Sequence, residues 1–151
     1  MKFLVDQMLG KLAKYLRFMG YDTFYTNEPV SDRELIEIAK KEGRIILTRD
    51  KIIAQNVAGA VYLKGSSLKE QFSELNQSLK ITKVSILSRC SVCNTVLEKV
   101  DKEAVKNMVP EYVYLHSTEF YVCNNCKKVY WYGSHTKKII DEIDYLLSEG
   151  K

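Results

Sequence analysis

The run Arg44-Ile45-Ile46-Leu47-Thr48-Arg49-Asp50 constrains this chain more than any other stretch, because an unbroken apolar β-former runs into a polar, charged tip. Short apolar runs of this kind read as strands buried on both faces, the mark of a parallel sheet covered by helices. In open sheets of that kind ligands sit beyond the carboxyl ends of the strands, so the acid ending the run, Asp50, is where chemistry should be sought. Phe3-Leu4-Val5 is a second such run, and it too ends in an acid, Asp6. The expectation is that Asp6 and Asp50 meet at one edge of one sheet and hold a metal ion.

The segments between supply the rest of an alternating pattern. Leu9, Leu12, Ala13, Leu16 and Met19 recur at helical spacing, while Lys11, Lys14 and Arg17 form a cationic ridge on another side of the same helix, which Gly20 stops. Asp22 to Thr26 has strand composition. Ser31 and Glu34 stand in capping-box spacing ahead of Leu35, Ile36, Ile38 and Ala39, with Gly43 past the end, and this helix leads into the 44–47 strand. After a short apolar piece (Ile52, Ile53, Val57), Ala60 to Leu63 reads as a further strand. Ser67 and Glu70 then open a closing helix through Leu68, Phe72, Leu75 and Leu79. Strand, helix, strand is the grammar of a parallel sheet with right-handed crossovers.

Near residue 80 the pattern changes to short β-like segments bracketed by cysteines, so the chain divides into 1–80 and 81–151, the second part ending in a helix with Ile139, Ile140, Ile143, Leu146 and Leu147 on one face. A length of 151 residues suits one ordinary domain or two small ones. Lys and Arg number 23 against 19 Asp and Glu, an excess that tolerates a polyanion without demanding one. No apolar run approaches the roughly 20 residues a membrane span needs. The expectation is a soluble, cytoplasmic protein with no membrane partner.

Cys90-x-x-Cys93 and Cys123-x-x-Cys126 are the chain's four cysteines. Two C-x-x-C pairs supply the thiolates of a closed tetrahedral zinc site, and in a part of this small size the ion would contribute to folding. Two disulfides or four free thiols are the alternative. Phe120, Tyr121, Tyr130, Trp131 and Tyr132, interleaved with Lys127 and Lys128, read either as a platform for unpaired bases or as ribbon strands packing their rings into a thin core. Lys127 and Lys128, beside a knuckle, are better candidates for RNA contact than the rings. His135 could touch a phosphate or serve as a helix-start residue.

Magnesium and manganese prefer oxygen ligands, and nucleases use such ions at the phosphate, so clustered acids are required. Asp6, Asp50 and Asp32, the last at a helix start, fall by topology at the same sheet edge, with Asp22, Glu28 and Glu34 as further members to test. Each has an ordinary explanation too: Asp32 in a first turn is accounted for by the helix dipole.

Taken together, Val5-Asp6, Met8-Leu9-Gly10-Lys11-Leu12-Ala13 with Leu16-Arg17, Gly20-Tyr21-Asp22-Thr23, Asp32-x-Glu34-Leu35, the 44–50 run, Arg89-Cys90-x-x-Cys93-Asn94 and Tyr130-Trp131-x-Gly133-Ser134-His135 resemble the RNase domain at the C-terminus of the Mut-seven exonuclease. The resemblance covers nearly the whole chain. It implies an α/β fold: a PIN-like parallel-sheet nuclease domain flanked by helices, followed by a small zinc-ribbon β domain and a C-terminal helix. It further implies that Asp6, Asp32 and Asp50 carry a catalytic magnesium or manganese ion, with Lys14, Arg17 and Arg49 near the scissile phosphate. Ser91 and Asn124 stand where such knuckles often have proline, and Ile52 where other PIN-like domains carry a further acid. The expected function is a metal-dependent ribonuclease whose phosphate contacts are Lys11, Lys14, Arg17 and Arg49. Its ribbon, through Lys127, Lys128 and His135, would help to bind RNA. A zinc-ribbon RNA-binding adaptor without catalysis is the alternative.

Overall fold

The computed structural model describes residues 1–149. Its first layer is a parallel sheet of β1 (Lys2–Val5), β2 (Asp22–Phe24), β3 (Ile45–Thr48) and β4 (Val61–Tyr62), in the order β2-β1-β3-β4. Successive side chains of a strand point to opposite faces, and the core divides accordingly. Phe3, Val5 and Leu47 face α1 (Gly10–Phe18), α4 (Leu68–Ser78) and α6 (Ser134–Glu149), while Leu4 and Ile46 face α2 (Asp32–Glu42) and α3 (Lys51–Asn56). A second, antiparallel sheet follows, built from β5 (Glu98–Val100), β6 (Phe120–Val122) and β7 (Val129–Trp131), with α5 (Glu111–His116) between β5 and β6. Among the described residues no helix is long and apolar enough to cross a membrane.

Local chemistry places the ends of these elements. Ser67 and Glu70 form a full reciprocal capping box at the start of α4, whereas at α2 the Ser31 hydroxyl accepts the Glu34 N–H and Gly43, in the left-handed region at φ 68°, ends the helix. The apolar piece after Asp50 is a helix rather than a loop, since the Asp50 carboxylate caps it. Two elements carry no sequence signal of this kind: α5, which has no buried residue, and the 3₁₀ turn Lys102–Val105. Gly20 (φ 104°) lies against the Ser85 backbone, which would stand 2.7 Å from an added Cβ. The 80–88 segment can therefore fold back over the end of α1, donating the Val84 and Ser85 N–H groups to the Met19 carbonyl.

The last helix does not stay with the cysteine-bearing part that precedes it in sequence. Ile143 is fully buried and, with Leu146, joins the cluster formed by Phe3, Leu12, Phe72 and Leu75 on the first sheet. The cysteine-bearing part is thus held from both of its ends against one core.

β2 is an edge strand, and an edge leaves backbone groups without a partner. Here the first cysteine knuckle closes it. The Thr23 N–H donates to Asn94 Oδ1 (3.0 Å), the Asn94 amide donates to Asp22 Oδ1 (2.8 Å), and the Thr23 and Tyr25 carbonyls accept from Arg17. Arg44 completes the cluster with an ion pair to Asp22 at 2.8 Å. Burial works to raise the Asp22 pKa, but the Asn94 and Arg44 hydrogen bonds outweigh it and hold the carboxyl below its ordinary value. A depressed carboxylate contributes stability in full above its unfolded pKa, near 3.8, and loses it as pH falls through the lower folded value. We expect Asp22→Asn to lower the melting temperature at neutral pH, with the gap from wild type closing under strongly acidic conditions. A gap that widened on acidification would contradict the assigned sign.

Candidate active site and metal centre

Strand order reverses between β1 and β3, since the chain leaves β1 toward β2 on one side and leaves β3 toward β4 on the other. In such sheets this reversal opens a crevice at the carboxyl ends. Asp6 and Asp50 stand there. The Asp6 carboxylate accepts from the Met8 N–H (2.7 Å), the Thr48 hydroxyl (2.9 Å) and the Arg49 N–H (2.9 Å). The same Thr48 hydroxyl oxygen accepts the Asp50 N–H at 2.9 Å, so one side chain ties the two acids together. Asp50 takes the Ile52 and Ile53 N–H groups on Oδ1 at 2.8 and 3.2 Å. An ionised carboxylate has about four acceptor sites, which leaves both acids capacity for a further ligand.

The remaining acids are placed as follows. Asp32 lies exposed in the first turn of α2, whose start follows the same carboxyl edge. Asp22 sits at the opposite edge, bound to Arg44, and does not join Asp6 and Asp50. Glu34 offers its N–H to the Ser31 cap, and Glu28 lies on the groove described below. Among the described residues, the group of three or more His, Cys, Asp or Glu side chains whose donor atoms converge enough for an ion is the cysteine set, not the aspartates.

The Sγ atoms of Cys90, Cys93, Cys123 and Cys126 all lie within 4.8 Å of one another. Those of Cys90 and Cys126 are 3.7 Å apart, far beyond a disulfide bond and close to the edge, about 3.8 Å, of a tetrahedron with zinc-to-sulfur bonds of about 2.3 Å. The donor set therefore fits zinc. Each knuckle is the same turn: the residue after its second cysteine, Asn94 or Lys127, has φ 68° or 67°, and its N–H returns to the carbonyl of the first cysteine at 2.8 Å. The sulfurs have supporting partners. The Asn125 amide donates to Cys93 Sγ (3.1 Å), and the Tyr130 hydroxyl lies 3.1 Å from Cys90 Sγ.

The expected RNA contacts separate into three groups. Lys11, Lys14, Lys128 and His135 line one groove of about 1150 Å³ between α1, the first knuckle and α6. Arg49 is beside the acids, its backbone on Asp6 and its guanidinium on the Lys64 carbonyl at 3.2 Å. Lys127 occupies the left-handed knuckle position, exposed and away from the groove lining.

Arg17 requires a correction. Expected at a phosphate, it is only 5% exposed, and its donors go to the carbonyls of Thr23 (3.0 Å), Ser91 (3.1 Å), Val92 (3.0 Å) and Tyr25 (3.4 Å). It binds the knuckle to β2. The aromatic residues divide in favour of packing: Phe120 is fully buried against Trp131, and Tyr130 supports a cysteine. Three contributors were not singled out from sequence. Thr48 and Asn94 stand there only within longer motifs and with no role of their own, as a threonine in a strand and an asparagine after a cysteine are ordinary. Lys138 had a signal, since His135, Lys138 and Glu142 fall three and four apart on one face of α6 and all line the groove.

A parallel α/β layer with paired acids at its strand reversal, bolted to a four-cysteine ribbon, defines a small α/β protein with a zinc-ribbon appendage. The chain belongs to the Mut7-C RNAse domain family, whose sequence model matches residues 1–143. It is also 32% identical over 117 residues to the human (Homo sapiens) protein called exonuclease mut-7 homolog, a match covering 72% of this chain and 13% of that relative. Both names are those of nucleases. No solved structure matches.

Proposed function

We propose that the chain is a metal-dependent ribonuclease in which Asp6, Asp50 and Asp32 hold a magnesium or manganese ion at the carboxyl edge of the parallel sheet. The observation that carries this reading is the Asp6-Thr48-Asp50 unit at the strand reversal, within a family named for RNase activity. The donor chemistry fits a hard cation, being carboxylate oxygen throughout. When bound, such an ion supplies charge neutralisation and Lewis acidity at a phosphodiester. The chain's own residues supply the rest. Thr48 orients Asp6, the N–H groups of α3 orient Asp50, and the Arg49 backbone N–H holds Asp6 while its guanidinium rests on the Lys64 carbonyl. Residues 1–80 would form the catalytic part and the ribbon would help to hold RNA.

Asp50→Asn is the cleanest test, because asparagine is an equally good helix cap and α3 should survive it. Manganese-dependent cleavage of labelled RNA should fall by a factor on the order of 100 or more, with the melting temperature nearly unchanged. Undiminished cleavage by the purified variant would remove Asp50 from the reaction. A second reading, RNA binding without cleavage, has its own observation: the three aspartates do not converge in this conformation. It predicts salt-sensitive binding and no cut with either metal.

A further inference from the structure

We infer that the groove between α1 and α6 is the track for one unpaired strand of RNA, held by Lys11 and Lys14 on one wall and Lys128 and Lys138 on the other. The inference rests on the reading of the chain as a protein that acts on RNA, and adds to it the form of RNA and the path it takes.

Charge is the first argument. Four lysines line a single cleft, and among the described residues no carboxylate lies within ion-pair distance of any of them, although Lys128 also rests over the Tyr130 ring. Glu28 and Glu142 line the same cleft, so the four lysines outnumber its carboxylates two to one and leave an excess of positive charge that suits a polyanion. Size is the second. A volume of about 1150 Å³ exceeds that of most small-molecule sites, roughly 300–1000 Å³, and suits several linked nucleotides.

The lining favours the single strand, because unpaired bases need apolar and aromatic surface beside the phosphate contacts. The walls are joined by two short bridges, the Tyr15 hydroxyl donating to Glu142 Oε2 at 2.7 Å and Arg17 donating to the Ser91 and Val92 carbonyls. The first ties α1 to α6 and the second ties α1 to the first knuckle, so the three segments that border the groove are linked to one another. Phe18, Tyr25, Val92 and Ile139 add apolar and aromatic surface between the cations, which suits exposed bases and sugars. The groove is joined to the proposed chemistry through the chain, since Gly10 in its lining directly follows the 3₁₀ turn Gln7–Leu9 that Asp6 caps.

The test is fluorescence anisotropy with the full zinc-loaded chain and no added magnesium or manganese, using a short labelled RNA and the same RNA annealed to its complement. The single strand should bind at least about tenfold more tightly than the duplex. Lys14→Ala and Lys138→Ala should each weaken it several-fold and reduce the slope of log affinity against log salt by about 0.7. Lys40→Ala, on α2 outside the groove, should change neither. Equal affinity for the duplex, or lysine variants with unaltered affinity and salt slope, would overturn the inference. Cleavage assayed in parallel keeps the two ideas apart. Binding that follows the lysines without any cut supports the groove and sinks the nuclease, whereas cutting by a chain whose binding ignores the lysines does the reverse.

Discussion

Arg17→Met should lower the free energy of unfolding by about 1–3 kcal/mol, the cost of leaving buried carbonyl acceptors without their donor. Methionine retains much of the stem's volume, so the loss isolates the guanidinium. Three carbonyl oxygens on the knuckle and β2 lie within 3.1 Å of it and a fourth, that of Tyr25, at 3.4 Å, and none gains an equivalent donor in the variant. Arg17→Lys should recover little, because an ammonium cannot present the fork that reaches Thr23 on one side and Ser91 and Val92 on the other. Denaturant titration measures this directly. A loss below about 1 kcal/mol would mean that water replaces the guanidinium and that the knuckle is held by Asn94 instead.

Removal of the metal should have an effect at least as large, confined at first to the ribbon. A strong chelator should withdraw close to one zinc per chain and expose four titratable thiols. Binding energies of structural zinc sites reach about 10–16 kcal/mol in isolated peptides, more than a part this small can replace from its own core. Amide protection of β5 to β7 should collapse, and Trp131, which packs beside Phe120, should change its fluorescence. The damage should then spread, since the Ser91 and Val92 carbonyls and the Asn94 amide that cover β2 belong to the first knuckle. Full protection of β7 in a chain proven free of metal would show that the four cysteines are not a structural centre.

How much was legible beforehand follows from what each feature depends on. The strand runs 2–5 and 44–47, the periodic helices and the capping-box spacings are local patterns, and the structure has an element at each, the second strand shifted by one residue to Ile45–Thr48. The C-x-x-C pairs announced their convergence because ligand spacing is itself a local property. Arg17 misled for a physical reason. At helical spacing it continues the ridge of Lys11 and Lys14, and nothing nearby in sequence says that residues 91 and 92 will arrive to bury it. Asp22 misled similarly, lying at the start of its strand and so at the edge away from Asp6. Thr48 and Asn94 act through partners 42 and 71 or more positions away.

The sequence by itself determined the parallel α/β layer, the acid after each of two central strands and the four-thiol ribbon, because each is written in the spacing of neighbouring residues. Tertiary structure alone decided which cations stay at the surface, how the ribbon closes the edge of β2, and that the last helix returns to form the far wall of the groove. These depend on contacts between distant segments, whose geometry no local period encodes.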